Sequence, residues 1–245
     1  MKKERFQDEI LELAHASRPE IVLIKRAKTR GRRLGVFASS FNPVTNAHVA
    51  LMEQAASVFS LNEVLALAGL LNADKEDYDS PLSARLEMLE LGLAGVEHAS
   101  VGISSTPFFV DMIDPIKRAY PRAESLYFIV GFDTFVRIID REGRYLTRYQ
   151  TSYSNTGEAL GRLLSASCLI VASRAGKGER EIGDLIGGEL SHVGERIHFL
   201  DFPPELGERS ATEVRQLLRA GRPISGLVAP GVADYIQANR LYSGI

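Results

Sequence analysis

The stretch Leu34-Gly35-Val36-Phe37-Ala38-Ser39-Ser40-Phe41-Asn42-Pro43-Val44-Thr45-Asn46-Ala47-His48 decides how this chain folds. Its first five residues are a short apolar run of the kind found in a buried strand. A polar loop follows, and a helical pattern runs from near Ala47 to Phe59. Strand, loop and helix start in this order expose backbone N–H groups that the helix dipole reinforces, which makes an anion site without any added charge. Thr45 or Asn46 caps the helix, so His48 falls in the first turn with Thr45 one turn earlier, both facing the same ligand. Phosphate is the guest this arrangement predicts.

The same alternation continues outward. Strands are predicted at Glu63–Ala68, Ala99–Ile103, Ser125–Val130, Cys168–Ala172 and Arg196–Leu200. Helical patterns cover Pro81–Ala94, Val110–Tyr120, Thr156–Ser165 and Glu179–Leu190. Strands alternating with helices imply a doubly wound α/β fold with a mostly parallel sheet covered on both faces. Ligands of such sheets sit outside the carboxyl ends of the strands, where the order reverses, so the loops after Ala38, Ala68, Val130 and Ala172 are the places to look for chemistry. Ahead of this unit, residues 4–16 have helical spacing and Glu20–Ile24 reads as a short strand. We take 1–32 as an N-terminal extension and 33–245 as the main domain. Six basic residues, Lys25, Arg26, Lys28, Arg30, Arg32 and Arg33, read as a solvated loop or as a supplementary phosphate-facing arm.

Charge and composition narrow the partners. The 29 basic and 31 acidic residues leave a formal charge of −2, so no global field steers the chain to nucleic acid, and a small partner is expected. Cys168 is the one cysteine, set in an apolar run, and reads as a buried strand residue. The apolar run Val64–Leu71 is too short to cross a bilayer. The expectation is a cytoplasmic protein without a membrane partner, with homo-oligomerisation left open.

The segment Phe37–His48 resembles the signature of the nucleotidylyltransferase superfamily, whose loop ends H-x-G-H or T-x-G-H after a Phe-x-Pro stretch. Phe41, Pro43, Thr45 and His48 match, while Ala47 replaces the glycine. Near the other end, Arg209-Ser210-Ala211-Thr212-Glu213-Val214-Arg215 resembles the superfamily's S-S-T-x-I-R element, and it also has the spacing of a helix cap. Between them, the Gly131-Phe132-Asp133 turn is similar to the G-x-D of mononucleotide adenylyltransferases, and Ser173-Arg174-Ala175-Gly176 to a later strand end. The tail, Leu227 to Tyr242, is similar to that of the nicotinate and nicotinamide mononucleotide enzymes, with Val232, Tyr235 and Ile236 forming one helix face.

The resemblance implies a Rossmann-like domain with C-terminal helices that joins AMP from ATP to the phosphate of nicotinamide or nicotinate mononucleotide, as in NAD biosynthesis, releasing pyrophosphate. It implies catalytic roles for His48, Thr45 and Arg215, and nucleotide contacts from Ala38, Ser39, Ser40, Phe41, Gly131, Asp133, Arg174, Ser210 and Thr212. Lys75, Arg85 and Phe132 fall where the acceptor would lie, and Phe135 and Tyr145 are further aromatic candidates, since the chain has no Trp. Magnesium would come with ATP, and the partners would be ATP and a small phosphorylated acceptor. Phosphopantetheine as acceptor, a CTP-dependent reaction and a nucleotide-binding protein without turnover are the alternatives. A dinucleotide oxidoreductase is disfavoured, because no G-x-G-x-x-G follows the first strand of the domain.

Overall fold

The computed structural model describes residues 5–71, 78–140, 143–144, 153–173, 177–187, 194–207 and 210–242. Its centre is a seven-stranded sheet in the order β1-β4-β3-β2-β5-β6-β7. The strands are β1 (Ile21–Lys25), β2 (Arg33–Ser39), β3 (Glu63–Gly69), β4 (Ala99–Ser104), β5 (Ser125–Gly131), β6 (Cys168–Ala172) and β7 (Ile197–Leu200). β1 pairs antiparallel with β4 at one edge, so the segment ahead of residue 33 belongs to the same sheet. All other pairs are parallel. From β2 the chain steps outward through β3 and β4, then returns to β5 on the other side of β2. The order therefore reverses between β2 and β5, as the alternating pattern predicts.

Both faces of the central strands are buried, and the period of two is plain in how they divide. In β3, Val64, Ala66 and Ala68 face one core, whereas Leu65 and Leu67 face the other; in β5, Tyr127 and Ile129 oppose Leu126, Phe128 and Val130. The first core receives α1 (Gln7–Ala14), α2 (Asn46–Val58) and α3 (Leu82–Gly92), together with the C-terminal helices. The second receives α4 (Phe109–Ala119), α5 (Phe132–Ile139), α6 (Thr156–Ala166) and α7 (Glu179–Ile186). The C-terminal helices are α8 (Ala211–Arg219) and α9 (Pro230–Ala238). α8 ends at Arg219 and is followed by Gly221, whose φ of +65° is the left-handed conformation that glycine supplies just past a helix stop. Val232 and Ile236 are buried on one face of α9 as expected.

Three expectations need adjusting. The pattern did not announce α5, which begins directly at Gly131 with no polar loop to mark a boundary. Cys168 does open β6, but it is half-buried rather than enclosed. The basic run lies at the amino ends of the parallel strands, opposite the expected ligand end. There Lys28 pairs with Glu97 at 2.9 Å and Arg32 with Glu124 at 2.5 Å, Arg26 lies over the Tyr120 ring, and Arg33 donates to Phe59 O. These contacts favour the solvated loop over the phosphate-facing arm. Among the described residues no helix is long and apolar enough to cross a membrane.

If the second core stabilises the sheet as its burial suggests, Phe128→Ala, at a fully buried position, lowers unfolding free energy in urea by about 3–5 kcal/mol. Val58→Ala, at a position 58% exposed, changes it by no more than about 0.5 kcal/mol.

Candidate active site

The loop between β2 and α2 is tightly determined. Phe41 adopts φ +45°, a conformation that disfavours a bulky side chain, and is held there by complete burial and by edge contact with the Phe37 ring at 5.6 Å. Its side chain is therefore core. Thr45 is the N-cap of α2: its hydroxyl accepts from His48 N at 3.3 Å, and Thr45 N donates to His48 Nδ1 at 3.0 Å. Two helix-start donors are satisfied reciprocally, as in a capping box, with histidine in the position usually taken by Glu or Gln.

This pairing fixes the chemistry of His48. A ring nitrogen that accepts from a backbone N–H is unprotonated, so the neutral ring carries its proton on Nε2 and offers it as a donor. The ring is half-buried beside Phe37 and Phe41, at centroid distances of 5.7 and 5.4 Å. Thr45 itself is 2% exposed, and its hydroxyl lies 2.9 Å from His48 Nδ1, so it orients the histidine. Ala47 is also buried, which puts most of its extra methyl against protein.

A second helix start meets this loop. Ser210 caps α8 by accepting from Glu213 N at 3.1 Å, and from the next turn Arg215 Nη1 donates to Asn42 O at 2.6 Å. Arg215 Nη2 also donates to the exposed Thr212 at 3.3 Å, and its Nε lies 2.7 Å from Asp79 Oδ2. Asn42 is locked from its other end, where Oδ1 accepts from Ser80 Oγ and from Tyr242 OH, both at 2.7 Å. Burial pushes the Tyr242 hydroxyl up to about 12, which keeps it a donor. The two motifs, 170 or so residues apart in the chain, thus share one hydrogen-bonded knot.

Beside the knot, a cavity of about 310 Å³ opens at the carboxyl ends of β2, β3 and β4. Its walls include Ala38, Ser39 and Ser40 from the first loop, Gly69 and Tyr78 from the next, and Thr106, Phe108, Phe109 and Asp111 at the start of α4. Arg137 of α5 and Tyr153 ahead of α6 complete the far side. Burial pushes the Asp111 carboxyl above its ordinary range, against a hydrogen bond with Thr106 that pulls the other way. The loop after β4 was not among those marked from the sequence. An aspartate inside the apolar run Phe108-Phe109-Val110-Asp111-Met112 was the available signal, because carboxylates rarely sit among such neighbours without a task.

The remaining expected residues divide. Gly131 ends β5, and a Cβ built on it would meet nothing within 4 Å, so the protein leaves open space there. Asp133 is exposed in the first turn of α5, whose N-cap is Gly131 and not the aspartate. Arg85 does not line the cavity. It stands behind the wall, 1% exposed, donating to Ser40 O at 2.8 Å and Gly69 O at 3.2 Å, with the Tyr78 ring 3.8 Å from its guanidinium carbon. Desolvation lowers its pKa from the ordinary arginine value. Phe132 is 4% exposed and packs in the second core, and Phe135 is fully buried, so the cavity's aromatic lining comes from Tyr78, Phe108, Phe109 and Tyr153 instead. Lys75, Tyr145 and Arg174 lie outside the described residues.

A capped helix start beside a cavity at the carboxyl ends of a parallel sheet is the arrangement of a nucleotide-handling α/β protein. Residues 36–216 match the cytidylyltransferase-like family, and the chain belongs to it. A relative from Pelobacter propionicus described as a probable nicotinate-nucleotide adenylyltransferase is 30% identical over 237 residues, covering 86% of this chain and 98% of its own. One of the same description from Pseudomonas aeruginosa is 26% identical over 226 residues, with the same coverage of 86% and 98%. Among solved structures, Plasmodium falciparum nicotinic acid mononucleotide adenylyltransferase complexed with NaAD aligns with a TM-score of 0.63 at 16% identity, covering 86% of this chain and 97% of that one. The same enzyme complexed with APC aligns at 0.61 and 15%, with coverage again 86% and 97%. At these identities the structural likeness is one of fold.

Two outcomes follow from the geometry. Thr45→Ala removes the cap and lowers unfolding free energy by about 1 kcal/mol, and Thr45→Ser restores it, as measured by denaturant titration. Asp111→Asn raises Tm at neutral pH. A carboxyl whose folded pKa is raised destabilises the fold once ionised, so the gain shrinks as pH falls below the carboxylate range and both proteins become neutral at this position.

Proposed function

We propose that this chain transfers AMP from ATP to the phosphate of nicotinate mononucleotide, releasing pyrophosphate. The observation that carries the reading is the convergence of two capped helix starts, joined by the Arg215 to Asn42 bond, on the loop whose Ser39 and Ser40 line a neighbouring cavity large enough for a small ring and ribose; His48 and Arg215 themselves are not part of that cavity's lining. The relatives' descriptions support nicotinate mononucleotide as the acceptor.

In the proposed reaction an acceptor phosphate oxygen attacks the α-phosphorus in line, a new P–O bond forms, and the bond to the bridging oxygen of pyrophosphate breaks. No general base is needed, since the acceptor phosphate is already ionised near neutral pH. The protein's work is then positioning and charge stabilisation. His48 donates through Nε2–H to a phosphate oxygen, and Thr45 acts as the positioning residue that turns Nδ1 inward. Arg215 and the helix-start amides at Ser210 and Thr212 hold the triphosphate. Ala38, Ser39, Ser40 and the backbone of Phe41 line the nucleotide's path, while Gly131 leaves room for the adenosine and Asp133 accepts from a ribose hydroxyl. Arg85 positions Ser40, Gly69 and Tyr78 from behind the cavity wall.

Magnesium is proposed to arrive with ATP. Its preferred ligands are hard oxygens, which the phosphates supply, and when bound it neutralises part of the charge on the departing pyrophosphate.

One observation favours nicotinamide mononucleotide as a second acceptor. Asp111 lines the cavity, and an ionised carboxylate there repels the carboxylate of nicotinate but can accept from an amide.

Pyrophosphate release measured with ATP and each mononucleotide tests the proposal. The expected result is turnover with nicotinate mononucleotide at the higher kcat/KM, lowered by about 100-fold or more in kcat by His48→Ala, a variant that stays folded and loses only the roughly 1 kcal/mol of a cap contact. ATP binding without pyrophosphate release from either acceptor would sink the reading.

A further inference from the structure

Both terminal nitrogens of Arg215 are hydrogen-bonded to protein, whereas the buried Nε makes an ion-pair contact without a hydrogen bond. Nη1 donates to Asn42 O at 2.6 Å and Nη2 to Thr212 Oγ1 at 3.3 Å, both neutral acceptors, while Nε lies 2.7 Å from the Asp79 carboxylate. Asp79 is thus the one anion on this guanidinium among the described contacts. Its second oxygen, Oδ1, lies 2.6 Å from Arg219 Nη2, one turn further along α8. The aspartate side chain is 36% exposed and the Arg215 side chain only 9%, so the carboxylate sits on the solvent side of a guanidinium fixed from within.

We propose that Asp79 is an intramolecular competitor of the ATP triphosphate for Arg215 and Arg219, and that its displacement sets the affinity for ATP. This rests on the reading of Arg215 as a triphosphate contact. A phosphate oxygen and the aspartate carboxylate cannot both take the Nε side of one guanidinium without like-charge repulsion, so one must yield. Arg215 does not move when Asp79 leaves, because the bonds to Asn42 O and Thr212 remain. Asp79 can leave by rotation of its own side chain. Its neighbours are held in place, Tyr78 against Arg85 and Ser80 by Asn42. The other ion pairs described above, Lys28 with Glu97 and Arg32 with Glu124, lie at the opposite end of the sheet and have no such consequence.

Calorimetric titration of ATP and of AMP into the wild type, Asp79→Asn, Asp79→Glu and Arg215→Ala separates the possibilities. The proposal expects Asp79→Asn to tighten ATP about fivefold or more while leaving AMP, which has no β- or γ-phosphate, unchanged. Asp79→Glu should return ATP affinity toward wild type. Damage to the fold would weaken both nucleotides, so tightening confined to ATP is not a structural side effect. Unchanged or weaker ATP binding in Asp79→Asn, or equal tightening of AMP, overturns the proposal. Arg215→Ala should weaken ATP. If it does so while Asp79→Asn has no effect, only the Asp79 proposal fails; if Arg215→Ala leaves ATP untouched, the reading of the site fails and this proposal with it.

Discussion

The reciprocal bonds between Thr45 and His48 are the constraint on which the site depends. A helix start must satisfy its orphan N–H groups, and here one of the groups that does so is the imidazole. Because Thr45 N donates to Nδ1, the ring is turned and its tautomer chosen by the same contact that starts α2. Stability and chemistry are therefore coupled at this point: a residue that loosened the cap would also release the donor. Burial of Phe41 between Phe37 and His48 adds rigidity from the other side, holding the loop in a left-handed conformation it would not otherwise keep.

Two buried arginines extend this rigidity. Arg85 ties the ends of the loops after β2 and β3 through Ser40 O and Gly69 O, and Arg215 ties the β2 loop to α8 through Asn42 O. A planar fork with five donors is suited to bridging backbone carbonyls from separate segments, which lysine with its point charge is not. The described partners of Arg85 are carbonyls and the Tyr78 ring. The ligand end of the sheet combines two helix N-termini and two buried arginines, of the sign that attracts phosphate, with the Asp79 carboxylate against Arg215 and Asp111 in the cavity wall. The acidic partners of the basic N-terminal run sit at the other end, where they cancel its charge.

Much of the fold was legible because parallel strands buried on both faces leave unmistakable apolar runs, and the predicted strand at Leu34–Ala38 lies within the observed β2. α5 escaped because strand and helix meet at Gly131 without a polar boundary, so Phe132 and Phe135 looked like free aromatics when they are core. The phosphate-facing half of the site was readable from local chemistry, since a cap and its first turn are adjacent in sequence. The cavity was not. Its walls come from segments around residues 40, 69, 78, 108, 137 and 153, which only the sheet order brings together. Likewise, nothing local distinguishes Arg85 as a brace behind the wall from Arg85 as a contact inside it. That difference is made by two carbonyls and a tyrosine ring from other loops.

The central claim, that the cap of α2 fixes a first-turn histidine whose second nitrogen carries the proton toward phosphate, is open to direct observation. Long-range proton–nitrogen NMR of the His48 ring reports which nitrogen bears hydrogen and how each responds to ligand. Nδ1 should resonate as unprotonated and Nε2 as protonated, and ATP should shift Nε2 while AMP-free buffer salts do not. A proton on Nδ1, or a His48 ring indifferent to ATP, would contradict the account.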